Sequence, residues 1–160
     1  MASIERTAYP RFRRLVTARD LASMSPTEDE VAWARTDARS DEHLLTLGLS
    51  LTCFQRLGYF PRSGEVSGKG VEHVRRCRAL PEGTAPSCGD ETAKLQRRLV
   101  REHLGVTHDP EQARAVACAA IRSAAEIKND PPDLINVALE MLVKESLEAG
   151  EVHLVAQNDL

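Results

Sequence analysis

A chain of 160 residues with 42% hydrophobic and 28% charged side chains has a globular composition, which excludes wholesale disorder. It is long enough to bury one full core or to divide into two small lobes, and neither option needs a disulfide. A net charge of -3 excludes a uniformly basic nucleic-acid binder, yet that total conceals a mosaic: +3 over residues 1–24, -4 over 25–50, +1 over 51–68, +3 over 69–104, -2 over 105–136 and -4 over 137–160.

The opening "MASIERTAYPRFRRLV" has no apolar run long enough for a signal peptide, and no later run approaches a membrane span. A cytoplasmic, reducing location without a membrane partner is the expectation. Within that opening, Arg11, Arg13 and Arg14 form a basic cluster that suits either a flexible DNA-contacting arm or a solvated terminus.

"SPTEDEVAWA" offers Ser25 as an N-cap, Pro26 at the first helical position and Glu28 three residues on, a capping box that predicts a helix start. "SDEHLLTLGLSLTCFQRLGYFP" repeats the signal with Ser40, Asp41 and Glu42. Its Leu44, Leu45, Leu47, Leu49, Leu51, Cys53, Phe54 and Leu57 are apolar round most of a helix, which predicts a central buried element ended by Gly58 and Pro61. "VSGKGVEHVRRCRALP" then suggests a shorter helix with Val71, Val74 and Cys77 inward, leaving Lys69, Arg75, Arg76 and Arg78 for a partner, and residues 63–79 are the segment that fits a helix-turn-helix element. The Pro- and Gly-bearing stretch "LPEGTAPSCGDE" is a loop.

Residues 91–104 form an amphipathic helix. At about 100° per residue Lys94, Arg97, Arg98 and Arg101 share one face and Leu95, Leu99, Val100 and Leu104 the other. Asp109, Pro110 and Gln112 predict a further capping box before an Ala-rich helix. Asp130 opens a last helix with Leu134, Val137, Ala138, Met141, Leu142 and Glu145 at helical spacing, closing at Gly150. No segment alternates as a strand would, and no internal repeat is visible. The expectation is an all-α protein of about six helices, divided into an N-terminal lobe (1–80), a linker (81–90), a second lobe (91–150) and a tail (151–160).

Four cysteines, Cys53, Cys77, Cys88 and Cys118, make no CxxC pair. His73 and Cys77, one helical turn apart, are the only hint of a metal pair, and further ligands at zinc-site spacing are missing; buried reduced thiols, with no metal or cofactor, are the expected state. There is no Gly-rich phosphate loop, nucleophile elbow or HExxH, and the acids cluster at helix starts, where dipole and capping explain them. Neither catalysis nor a small-molecule substrate is expected. What does stand out is the ridge: four cations without an i,i+4 acid on their face, and a second Arg cluster just upstream. Like charges at that spacing cost a few tenths of a kcal/mol per pair, a cost that a polyanion converts into attraction. The alternative is an ordinary solvated helix face.

The blocks "YPRFRRLVTARDLA", "SPTEDEVAWAR", "RSDEHLLTLGLSLTCFQRLGYFP", "VEHVRRCRALP", "LVREHLGVTHDPEQARAVA" and "KNDPPDLINVALEMLVKESLE" together resemble, in that order, the N-terminal DUF4158 region of the replicative class II transposases of the Tn-three family. The resemblance runs from about Tyr9 to Glu148. It implies a DNA-binding module, nucleoid-associated in a bacterial cytoplasm, that recognises the terminal inverted repeats of a transposon. It also implies that strand cleavage belongs to a separate ribonuclease-H-like domain with an Asp-Asp-Glu triad and magnesium, which these residues do not contain. After "SLEAG" the family continues toward a Thr-Leu-Asp-Arg-type segment, whereas this chain ends "EVHLVAQNDL", the pattern expected of a truncated or frameshifted reading frame or a fragment. On this reading Arg75, Arg76 and Arg78 approach bases or phosphates, Lys94, Arg97, Arg98 and Arg101 hold the phosphate backbone, and Lys69, Arg11, Arg13 and Arg14 complete the double-stranded DNA contact. The rival is a helical module that holds transposase copies together, or an inert remnant.

Overall fold

The computed structural model describes residues 16–62, 64–86 and 89–149. Arg11, Arg13 and Arg14 and the tail 151–160 lie outside them. The described residues form seven α-helices and no strand, so the fold is all-α. They divide into two units, one ending at His103 and one beginning at Leu104. The division therefore falls at the end of the basic helix and not in the loop 81–90, which is internal to the first unit.

In the first unit α1 (Ala18–Ala22) is capped by Thr17, whose hydroxyl accepts from Asp20 N while the Asp20 carboxylate accepts from Thr17 N. Five residues are too few to show a hydrophobic period in the sequence. The helix α2 (Glu28–Asp37) begins later than expected. Its cap is Thr27, which accepts from Glu30 N at 3.3 Å while Glu30 Oε2 accepts from Thr27 N at 2.8 Å; Ser25 instead binds His73 Nε2 at 2.9 Å.

The expected central helix is α3 (Asp41–Leu57). Ser40 caps it, accepting from His43 N at 3.2 Å, and Gly58 ends it in the left-handed region at φ 75, a conformation that costs a Cβ-bearing residue but not glycine. Leu45, Leu47, Leu51 and Cys53 are almost wholly buried. Each such leucine contributes about 1.5–3 kcal/mol relative to exposure. Both α2 and α4 (Gly68–Cys77) pack on α3, and Arg56 ties it to the α1 region by donating from Nη1 to Asp20 O at 2.9 Å.

The helix-turn-helix expected over 63–79 is not borne out. Residues 58–67 separate α3 from α4, far more than the three or four residues of such a turn. The turn 38–40 between α2 and α3 has the right length, but α3 is buried round most of its surface and cannot enter a groove.

In the second unit, α6 (Pro110–Ala125) and α7 (Pro131–Lys144) pack together. Asp109 caps α6 by accepting from Gln112 N at 2.9 Å, whereas Asp130 makes no side-chain cap bond to α7. The core is Ala113, Ala117, Ala138, Leu142, Leu147 and Ala149, in which the small side chains of Ala113 and Ala117 on α6 and Ala138 on α7 let the two helices approach closely. The helix α7 ends at Lys144 and not at Gly150, because Ser146 at φ 54 reverses the chain. Leu147 then pairs with Thr107 in a parallel bridge: Thr107 N donates to Ser146 O, and Glu148 N donates to Thr107 O.

Candidate nucleic-acid interface

The helix α5 (Asp90–Leu104) carries the basic ridge. Lys94, Arg97 and Arg98 are exposed and Arg101 is half-buried, while Val100 and Gln96 face inward. Leu95, expected to anchor the helix, is 39% exposed; Gln96, at 4%, takes that place and donates weakly from Nε2 to His43 O at 3.5 Å. The ridge is also less bare than its sequence implied. Glu91 pairs with Lys94 at 2.8 Å, and Glu102 approaches Arg98 Nε at 3.7 Å. Both pairs are exposed and contribute only a few tenths of a kcal/mol, so a polyanion can displace either acid at small cost.

Arg97 and Arg101 are arranged differently. Their guanidinium carbons sit over the Phe60 ring at 5.8 and 5.2 Å from its centroid. Phe60 in turn packs on Phe54 of α3 with centroids 4.8 Å apart. Such contacts contribute roughly 0.5–1 kcal/mol each at an exposed site and limit the directions the long side chains sample. The far end of α5 is held by Trp33 of α2, stacked on His103 at 4.2 Å and 22°. Phe60 is marked in the sequence only by "YFP" directly after the αL glycine Gly58.

The α4 cluster is where the expectation needs correcting. Arg75 is 8% exposed and grips Glu72 with two nitrogens at 2.7 Å, while its Nη1 donates to Leu80 O. Arg78 is 1% exposed. Neither projects toward a partner. Arg78 follows the last residue of α4, Ala79 turns the chain at φ 53, and the Arg78 side chain lies across α3 at Gly48, where an added Cβ would collide with Arg78 Nε. Its three guanidinium nitrogens find no hydrogen-bond partner among the described residues. Burial pushes the Arg78 pKa down, and the field of Glu30 opposes that shift. Arg76 and Lys69 remain at the surface, with Arg76 Nε donating to Glu72 at 2.8 Å. Hydrogen bonds from Arg75, then Arg76, hold the Glu72 carboxyl down at about 2.

A cleft of about 290 Å³ opens beside the ridge. Leu49, Cys53, Phe60, Pro61, Val66 and Val71 give it apolar walls, and Thr46, Ser50, Gln96, Asp90, Arg62 and Arg97 are its main polar groups. The buried Oε1 of Gln96 has no hydrogen-bond partner among the described residues. Burial pushes the Cys53 thiol up to about 12, which makes it a packing group at neutral pH.

Of the other cysteines Cys77 is exposed, contrary to the expected burial, and Cys118 half-buried, while Cys88 lies outside the described residues. Cys77 Sγ stands 3.5 Å from the same His73 Nε2 that meets Ser25. Among the described residues no three His, Cys, Asp or Glu side chains cluster as metal ligands, and no helix is long and apolar enough to cross a membrane.

No curated protein and no solved structure matches the chain. The family model described as a domain of unknown function, DUF4158, matches residues 1–154, nearly the whole sequence, and the chain belongs to that family.

Proposed function

We propose that this chain is a DNA-binding module, similar to the N-terminal region of Tn-three family transposases, that recognises transposon terminal inverted repeats and leaves strand cleavage to other residues. The observation that carries this reading is the outward face of α5, where Lys94, Arg97, Arg98 and Arg101 line one ridge and two of them lie over the Phe60 ring. Regularly spaced, pre-oriented cations suit phosphates along a strand, and the ordered Arg97 and Arg101 have less conformational freedom to lose on binding. Arg76 and Lys69 are further exposed cations of the same unit. Arg75 and Arg78 act structurally in this reading, not as DNA contacts.

The test is fluorescence anisotropy of the chain against a labelled inverted-repeat end of a related transposon and a scrambled duplex. Tighter binding to the repeat that weakens by roughly a hundredfold between about 50 and 200 mM salt is expected if all four ridge cations meet phosphates. Equal, salt-indifferent binding to both duplexes would refute it.

The rival reading, an oligomerisation module, draws on the exposed Ile127 and Val143, at 87% and 70%. Two scattered apolar residues are ordinary on a protein surface and favour it less than the ridge favours DNA.

A further inference from the structure

Three donor atoms from two segments of the first unit converge at the end of α4. Cys77 is the last residue of that helix and is exposed; His73 stands one turn earlier and is half-buried. Cys77 Sγ lies 3.5 Å from His73 Nε2, and Ser25 Oγ, from the segment before α2, lies 2.9 Å from the same nitrogen. An imidazole nitrogen offers one in-plane proton or one lone pair, so it cannot give full hydrogen bonds to both the hydroxyl and the thiol. The spacing of nitrogen and sulfur fits another use. A zinc ion holds sulfur at about 2.3 Å and nitrogen at about 2.1 Å in a tetrahedron, which places the two ligands about 3.6 Å apart. His73 and Cys77 already stand at the separation of two ligands on one ion. Ser25 is closer to Nε2 than the roughly 3.3 Å of a tetrahedral nitrogen–oxygen pair, and sits instead at hydrogen-bond distance.

We propose that His73 Nε2 and Cys77 Sγ bind a thiophilic divalent cation of the zinc class, with Ser25 as the hydrogen-bond partner that the ion displaces. Imidazole and thiolate select such an ion, whereas magnesium and calcium need oxygen ligands. Among the described residues no carboxylate joins the pair, and Glu72, next in sequence to His73, is held by Arg75 and Arg76. Two protein ligands are half the set of a structural zinc site, so the remaining positions stay open to water or to a donor from another molecule. Binding is a substitution: the thiol gives its proton to solvent as the sulfur–metal bond forms, and no electron is transferred. Because the ligands are one turn apart, the ion clips the last turn of α4. None of these residues belongs to the α5 ridge, so this proposal and the DNA reading fail separately.

The test uses the full chain, freed of metal by a chelator and then given Zn²⁺ or Co²⁺ alone. Iodoacetamide labelling, followed residue by residue with mass spectrometry, reads Cys77 apart from the other three cysteines. Saturating Zn²⁺ should slow labelling of Cys77 by at least about tenfold, since a metal-bound sulfur is no longer a free thiolate. Co²⁺ should give the visible absorption of a four-coordinate ion together with a sulfur-to-metal charge-transfer band, and Cys77→Ser should abolish that band. His73→Gln, which keeps a hydrogen-bonding group opposite Ser25, should raise the Zn²⁺ concentration for half-protection by at least about tenfold. Ser25→Ala removes only the competing hydroxyl and should leave that concentration unchanged or lower it. Circular dichroism without metal checks that each variant is folded. Equal labelling of Cys77 with and without Zn²⁺, or protection that persists in full with His73→Gln, would overturn the proposal.

Discussion

The arginines of α4 and those of α5 have the same charge and occupy opposite environments. Arg75 and Arg78 are drawn inward, one clamped to Glu72 and Leu80 and the other laid across Gly48 of α3. Arg97 and Arg98 stand outward on a helix whose inner face is Gln96 and Val100, with Arg101 half-buried over Phe60. Arg75 is buried by its angular position, four residues after Val71 on the inward face of α4, whereas for Arg78 the difference lies in the backbone. The α5 ridge sits within an uninterrupted helix, so its angular spacing decides exposure. Arg78 sits beyond the end of α4, where a left-handed residue redirects the chain and spacing no longer applies. A run of basic residues therefore marks an interface only where the backbone keeps it outside.

The largest effect expected from breaking this contrast is on binding. Reversing Arg97 and Arg101 together to Glu should lower duplex affinity by at least about a hundredfold, through two lost phosphate contacts and added repulsion. Circular dichroism should show the fold retained, with a loss of about 1–2 kcal/mol from the Phe60 contacts.

Next comes stability. Arg78→Met keeps the aliphatic stem and removes a buried charge that lacks hydrogen bonds, so urea denaturation should give a gain of about 1–3 kcal/mol. The same change at the exposed Arg76 should stay within about 0.5 kcal/mol. A marked destabilisation by Arg78→Met would mean that the guanidinium holds the fold together.

A smaller effect concerns pH. Glu72 has a folded-state pKa of about 2 against an ordinary 4.5, so its contribution is complete above 4.5 and is lost as pH falls from 4.5 toward 2. Denaturation curves through that window should be less acid-sensitive in Glu72→Gln, and an unchanged acid limb would contradict the clamp. The smallest effect is chemical: iodoacetamide should label exposed Cys77 in the native protein and reach Cys53 only after unfolding, since burial holds its thiol at about 12.

How far the sequence could be read obeys the same division between local and distant causes. Ser40, Gly58 and Asp109 act within a few residues of themselves, and the structure uses each as its pattern implies. Ser25 and Thr27 both precede a Glu by three, so two overlapping capping boxes compete. The choice of Thr27 accompanies a contact from Ser25 to His73, 48 residues away, which no local pattern contains. Gly150 suggested the end of α7, but the chain had already turned at Ser146 to seat Leu147 in the core. For the candidate site, the outward ridge was legible because amphipathic spacing is local. Gln96 was passed over because counting apolar positions skips a polar residue in the middle of their arc. Arg75 was misplaced although it stands four residues after Val71, on the face already assigned inward. Phe60 lies outside any helix and became meaningful only when α5 was packed over it.

The most direct test of the account is the salt dependence of duplex binding, measured for the native chain, for single Ala replacements at Lys94, Arg97, Arg98 and Arg101, and for Arg78→Met. Each ridge replacement should reduce the slope of log affinity against log salt by about one, and Arg78→Met should leave it unchanged. A slope indifferent to the ridge, or one that falls with Arg78→Met, would contradict the assignment of α5 as the surface that meets DNA.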